Sequence, residues 1–88
     1  MAAPNPLTPS IHVLLFARYA ELLGADRFEL PVGGQTTVAE VVARIRALPG
    51  GGSLPPGALV AVNLRQAAPT APVLPGDEVA FLPPLAGG

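Results

Sequence analysis

Hydrophobic and polar positions divide the chain into short strand-like runs around one strong helical pattern. Ile11 to Ala17 (Ile-His-Val-Leu-Leu-Phe-Ala) is apolar and β-prone, a first strand. Arg18 to Leu23 places Tyr19, Leu22 and Leu23 at helix spacing and closes on Gly24, a helical turn with a glycine stop. From Asp26 to Pro31, Phe28 and Leu30 alternate with Arg27 and Glu29, the pattern of a half-buried strand. Gly33-Gly34 then turns the chain. Thr37 to Leu48 is the best helix in the sequence. Thr37 and Glu40 fit a capping box, and Val38, Val41, Val42, Ile45 and Leu48 form one stripe. Arg44 and Arg46 suit the negative end of the helix dipole, and Pro49 with Gly50-Gly51-Gly52 ends it. Residues 50–57 read as a loop. Ala58 to Asn63 is a third strand, and Asn63 begins a tight turn into a short strand around Arg65 to Ala67. Leu74-Pro75-Gly76-Asp77 meets the demands of a type II turn and launches the last strand, Glu78 to Leu82.

The order is therefore β, β, α, β, short β, β. One α+β architecture satisfies it: the β-grasp, or ubiquitin-like, roll. There a mixed sheet carries its first and last strands parallel in the centre, with one main helix across one face. The central strands must turn apolar residues toward the helix, and Val13, Leu15 and Ala17 with Val79 and Phe81 have that parity. The opposite parity should be polar if it met only water. It holds Leu14, Phe16, Ala80 and Leu82 instead. Such a face marks a partner surface unless the leader, a loop or the short strand covers it.

Beyond Leu82 the chain changes character. Pro83 and Pro84 have no N–H and cannot continue a ladder. They point the chain away from the sheet in an extended direction. Leu85, Ala86, Gly87 and Gly88 follow, and the expected last group is a free α-carboxylate. Pro84 to Gly88 can span about 17 Å when extended. Chain ends rich in glycine commonly fray. A stiff Pro-Pro launch after a strand is what sets this one apart, because a narrow tail can enter a tunnel closed to a folded surface. Three parts result: a disordered leader over 1–10, one domain over 11–82, and a flexible tail over 83–88.

Composition narrows the chemistry. Eighty-eight residues make one domain with one modest core. Half are hydrophobic and 12% charged, with a net charge of −1, which excludes a disordered acidic or basic chain. The five basic residues are scattered arginines, so no basic stripe suggests nucleic acid. The absence of cysteine removes disulfides, Cys-type zinc sites and a thiol nucleophile. The absence of lysine removes a Schiff base and any side-chain amine acceptor. His12 stands alone in a strand and reads as an ordinary strand residue. Gly50-Gly51-Gly52 follows a helix and precedes no Lys-Ser/Thr pair, so it is not a phosphate cradle. No apolar run is long enough to span a membrane, and no basic region precedes the first apolar run, so a secretory signal is not expected and the cytosol is.

Several stretches together resemble the small subunits of molybdopterin synthase, within the ubiquitin-like sulfur carriers. They are Val13-Leu14-Leu15-Phe16-Ala17-Arg18, Glu21-Leu22-Leu23-Gly24, Ala61-Val62-Asn63, Gly76-Asp77-Glu78-Val79-Ala80-Phe81 and Pro83-Pro84-Leu85-Ala86-Gly87-Gly88. The resemblance runs from about Ile11 to Gly88. Its most specific part is the Pro-Pro-x-x-Gly-Gly ending, since the thiamin sulfur carrier typically lacks the Pro-Pro.

The resemblance implies a carrier that binds no cofactor of its own. An E1-like adenylyltransferase uses ATP to adenylate the Gly88 carboxylate. Sulfur from a sulfurtransferase then replaces AMP, leaving a thiocarboxylate. The tail, with Gly87 and residues Pro83 to Ala86, enters the large synthase subunit, and Phe16 and Leu82 dock the sheet face. Sulfur passes to cyclic pyranopterin monophosphate, and two transfers complete the dithiolene that holds molybdenum. The assembly implied is a heterotetramer with one small subunit at each end of a large-subunit dimer. Physical chemistry suits the residues to this. A terminal carboxylate is ionised at neutral pH and a poor acceptor until activated. Gly88 leaves its carbonyl unhindered, and Gly87 frees the backbone behind it. Three alternatives stay open: a sulfur carrier for thiamin or tRNA thiolation, a protein modifier joined through Gly88, and a plain binding module.

Overall fold

The computed structural model describes residues 9–83. Its strands are β1 (Ser10–Leu15), β2 (Arg27–Pro31), β3 (Thr36–Thr37), β4 (Leu59–Val62), β5 (Arg65–Gln66), β6 (Pro72–Val73) and β7 (Glu78–Leu82). The helices are α1 (Arg18–Leu23) and α2 (Val38–Arg46), with a 3₁₀ turn at Gly51–Ser53. Five strands form a mixed sheet in the order β2-β1-β7-β4-β5. β1 and β7 run parallel at its centre, with Val13 level with Val79 and Leu15 level with Phe81. The other neighbours are antiparallel. This is the β-grasp, ubiquitin-like arrangement expected from the element order.

Strand parity builds the core. Ile11, Val13 and Leu15 of β1, Val79 and Phe81 of β7 and Val60 of β4 are fully buried or nearly so. They face Val38, Val41, Val42 and Ile45 of α2, the predicted stripe. Tyr19, Leu30, Val32, Leu54 and Val73 close the edges of this cluster. No polar or charged side chain is buried among the described residues.

Local chemistry sets the ends of α2. Thr37 is the N-cap, and its hydroxyl accepts the Glu40 N–H at 3.2 Å. The returning half of the capping box is displaced by one residue, since the Glu40 carboxylate accepts from the Thr36 hydroxyl at 2.8 Å. The first two helical N–H groups donate to the Ala71 and Pro69 carbonyls. Groups left orphaned by helix geometry are thus satisfied by a neighbouring segment. The helix ends at Arg46 rather than Leu48 because Leu48 N–H already donates to Ile45 O in a tighter turn. Gly50 and Gly51 then cross both helix ends. A Cβ on Gly50 would lie 2.0 Å from the Leu22 carbonyl oxygen, and one on Gly51 2.0 Å from that of Ile45. Gly50 also has φ +84°. The glycine run is there to let backbone approach backbone.

Three expectations are corrected. The first strand ends at Leu15, so Ala17 does not point into the core; it is exposed, with φ 51° and ψ −124°, and turns the chain into α1. Ser10 belongs to β1 and not to a leader: it is level with Pro31, its hydroxyl donates to Glu29, and Pro9 O accepts from Val32 N–H. The loop after α2 contains the 3₁₀ turn, which buries Leu54 completely. The rest of the leader, residues 1–8, lies outside the described residues, as do residues 84–88 of the tail. The β3–β6 pair was not anticipated.

Candidate functional site

The face of the sheet turned away from α2 has two unlike ends. At the end where β7 finishes, Leu82 lies opposite Leu59 of β4, and Phe16 follows Leu15, the last residue of β1 paired with β7. Leu59 and Leu82 are thus an apolar pair across two adjacent strands, and Phe16 leaves the end of the next strand, β1. Phe16 is 45% exposed, Leu59 44% and Leu82 36%, while Phe81 on the other face is 0%. Behind them, Leu14, Ala80 and Ala61 align across the same strands. Leu14 is half-buried and the two alanines are covered. Arg27 flanks that row on β2 and Gln66 on β5. Of the apolar outer face expected from strand parity, Phe16 and Leu82 are open, Leu14 is half-buried and Ala80 is covered.

Phe16 is held in place by unusual backbone. Its carbonyl accepts the Tyr19 N–H at 3.0 Å, and Leu15 N–H donates to Asp26 O at 2.8 Å. Ala17, next in sequence, adopts a positive φ that residues with a Cβ rarely take. The sharp exit from β1 leaves Phe16 as the last side chain of the strand edge.

The opposite end of the face is polar. His12 sits level with Glu29 and Glu78 across β2, β1 and β7, with His12 Nδ1 3.8 Å from Glu29 Oε1. Two turns are tied together beside it. Asn63 Nδ2 donates to Asp77 Oδ1 at 3.0 Å, Leu74 N–H to Asp77 Oδ2 at 2.8 Å, and Glu78 N–H to Asn63 Oδ1 at 2.9 Å. The Leu74 N–H first and the Asn63 amide second hold the Asp77 carboxyl below its ordinary value. This clamp fixes where the five-residue strand β7 begins, and so where it ends. Gly76 has the positive φ of the predicted type II turn, and Asp77 N–H closes it on Leu74 O.

Phe16 and Leu82 are both exposed, while Leu15 and Phe81 beside them are buried. Pro83 follows at the sheet edge, half-buried. Pro84, Leu85, Ala86, Gly87 and Gly88 lie outside the described residues. Leu59 is the exposed apolar residue at this end that the sequence reading missed. Its signal was an alternation within β4, where Leu59 and Ala61 oppose Val60 and Val62. Only the β4–β7 register could set it opposite Leu82. Among the described residues no group of three or more His, Asp or Glu is placed to hold a metal ion, and no helix is long and apolar enough to cross a membrane.

Fold and site together define a ubiquitin-like β-grasp protein that presents an apolar sheet face beside the root of a Gly-Gly tail. The chain belongs to the ThiS family of ubiquitin-like sulfur carriers, whose sequence model matches residues 13–88. Among solved structures, it is similar to SAMP1 from Haloferax volcanii, at 28% identity and a TM-score of 0.75, over 90% of this chain and 99% of that one. A protein from Pyrococcus furiosus assigned as molybdopterin converting factor subunit 1 superposes with a TM-score of 0.74 at 21% identity, over 89% and 100% of the two chains. A chain from the complex of subunits 1 and 2 of the Helicobacter pylori molybdopterin-converting factor gives 0.65 at 20% identity, over 90% and 99%. No curated protein matches the sequence.

Proposed function

We propose that this chain is the sulfur-carrying small subunit of a molybdopterin synthase. Gly88 is its carrier group, made a thiocarboxylate after adenylation by an E1-like enzyme that spends ATP and after sulfur delivery by a sulfurtransferase. The carrier binds no cofactor. It works in the cytosol, and its tail donates sulfur to cyclic pyranopterin monophosphate inside a large subunit. The observation that carries this reading is the exposure of Phe16, Leu59 and Leu82, with Leu59 and Leu82 in register, just before a Pro-Pro-x-x-Gly-Gly sequence. On this reading these side chains are a dock that aims Gly88 into a partner. The Helicobacter pylori neighbour is a complex of subunits 1 and 2, which supports a large subunit as that partner. On this reading catalysis belongs to the partners.

The test is reconstitution. Intact mass of the chain from its host should show a gain of about 16 Da, sulfur replacing oxygen in the acid. Deleting Gly88 should abolish sulfur transfer to the pterin and leave the thermal melt unchanged. Undiminished transfer by the truncated chain would overturn the reading.

A second reading has one observation in its favour. Haloferax volcanii SAMP1, a small archaeal modifier protein, is among the similar structures at 26–28% identity. On that reading Gly88 is joined to lysines of other proteins. Gly88-terminated isopeptides in a host digest would establish it, and the thiocarboxylate with no such conjugates would exclude it.

A further inference from the structure

The sheet ends at β2, and β2 has no neighbour on its outer side among the described residues. Leu15 N–H donates to Asp26 O and Val32 N–H to Pro9 O, so every second residue from Asp26 onward aims its backbone groups at β1. Arg27 and Glu29 therefore aim theirs outward, each offering an N–H and a C=O on an open edge. Both residues are exposed. The opening is bounded at both ends. Pro31 has no N–H, and its carbonyl accepts from the Arg44 guanidinium. Ala25 N–H is already given to Ala20 O. An edge of this kind is a template for one more strand.

The side chains decide which strand fits. Arg27 and Glu29 share the outer face with Leu14 and His12, and Arg27 forms no ion pair with a described residue. Between them Phe28 is level with buried Val13 on the helix side, yet is itself only half-buried. With Leu23, Ala25, Leu48 and Pro49 it lines an open hollow of about 300 Å³. An antiparallel pairing of β2 with a second β2, centred on Phe28, sets Arg27 of each copy opposite Glu29 of the other. These are hydrogen-bonded positions, so each such pair exchanges two N–H···O bonds. The two Phe28 rings meet at the position between, where backbones approach most closely. Moving the centre to Arg27 or to Glu29 would set like charges directly opposite, which is destabilising. The charges that guard this edge therefore admit one register with a copy of itself.

We propose that two copies of the chain associate through their β2 edges, antiparallel and centred on Phe28, so that two five-stranded sheets become one of ten strands. The contact is isologous and closes at two copies. Its outer face carries the two Arg27–Glu29 pairs. Its helix side brings the Phe28 rings together, so that each covers apolar surface the other leaves open. The edge that would otherwise recruit strands from other proteins is consumed in the process. Leu59 and Leu82 lie on β4 and β7, separated from the join by β1, and stay open in the pair. The inference stands whether or not Gly88 carries sulfur.

The experiment is sedimentation of the full chain over a range of concentrations at low salt. The mass should rise from one chain to two. Hydrogen exchange at the Arg27 and Glu29 amides should slow in step, since neither N–H has a partner in the single chain. Glu29→Arg and Arg27→Glu should each weaken association about tenfold or more, because each turns two attractive cross-strand pairs into repulsive ones. Mixing the two variants should restore a dimer with one chain of each, since opposite charges then face across the join. Arg65→Glu, exposed on β5 at the other edge of the sheet, should associate as the parent does. A parent that stays a single chain at every concentration would overturn the proposal. So would a dimer whose Arg27 and Glu29 amides exchange no more slowly, a readout that needs no substitution. Dimers indifferent to both charge reversals, or variants that fail to combine, would overturn the register, and loss of association in Arg65→Glu would move the contact to the opposite edge.

Discussion

The two faces of the central strands are made from alternate residues of the same few stretches, yet they behave oppositely. Leu15 and Phe81 lie under α2 with 2% and 0% exposure. Their immediate neighbours, Phe16 and Leu82, remain open at 45% and 36%. Hydrophobicity alone does not distinguish them; parity and the presence of a covering helix do. Residues equal in kind thus build the core on one face and, on the proposed function, serve recognition on the other. Substitutions on either side should separate these roles.

The largest effect is expected at Phe81. Phe81→Ala removes a fully buried ring from the sheet centre and should cost about 3–5 kcal/mol in denaturant melts. A loss of a few tenths would mean the helix does not seal this face. Ile45→Ala, on the opposing helix stripe, should cost about 2–5 kcal/mol by the same cavity argument. Gly51→Ala is next. Its new Cβ would meet the Ile45 carbonyl oxygen at 2.0 Å, and backbone cannot rotate away. A loss of about 1–3 kcal/mol is expected, and a neutral melt would show that the loop can lift off the helix end.

On the outer face the order reverses. Phe16→Asp should weaken binding to a large subunit by about 2 kcal/mol in calorimetric titration, the scale of an aromatic anchor. Its melt should move by less than about 0.5 kcal/mol. Leu59→Asp should act in the same direction. An unfolded Phe16→Asp variant, or one with parental affinity, would break the division between faces.

The smallest effect concerns the clamp at the polar end. The folded Asp77 carboxyl sits below its ordinary value of 3.8, through the Leu74 N–H and the Asn63 amide. A depressed carboxyl contributes stability above its unfolded pKa and loses it as pH falls through the folded one. Asp77→Asn should therefore be less stable than the parent near neutral pH, by under about 1 kcal/mol because the group is close to solvent. The gap should close as the pH is lowered below 3.8. A gap constant with pH would show that charge has no part in the clamp.

Long-period features were legible in the sequence, and short or relational ones were not. The stripe of α2, the alternation of β2 and the turn at Gly76 each declare themselves within a few residues. So did the contrast between buried Leu15 and Phe81 and exposed Phe16 and Leu82. Ala17 was misread because an apolar residue after a strand looks like more strand, while its positive φ is imposed by the turn into α1. The β3–β6 pair has two residues on each side, too few for any period. Leu59 needed a register, which is a property of two strands together. Gly50 and Gly51 read as a loop because close approach to two helix ends cannot be seen from one dimension.

The parallel pair at the sheet centre also bears on biogenesis. β1 is made early, but its partner β7 is residues 78–82. Until those residues are synthesised, β1 and β4 have a gap between them that no other segment fills. Contacts of such long sequence separation must close late and slowly. A nascent chain interrupted before Glu78 would expose the apolar edges of both halves and be open to aggregation or to cellular proteases. In this topology the strand that completes the domain is also the one that precedes residues 84–88, so a chain that has reached the end of its sequence is also one that can close its sheet.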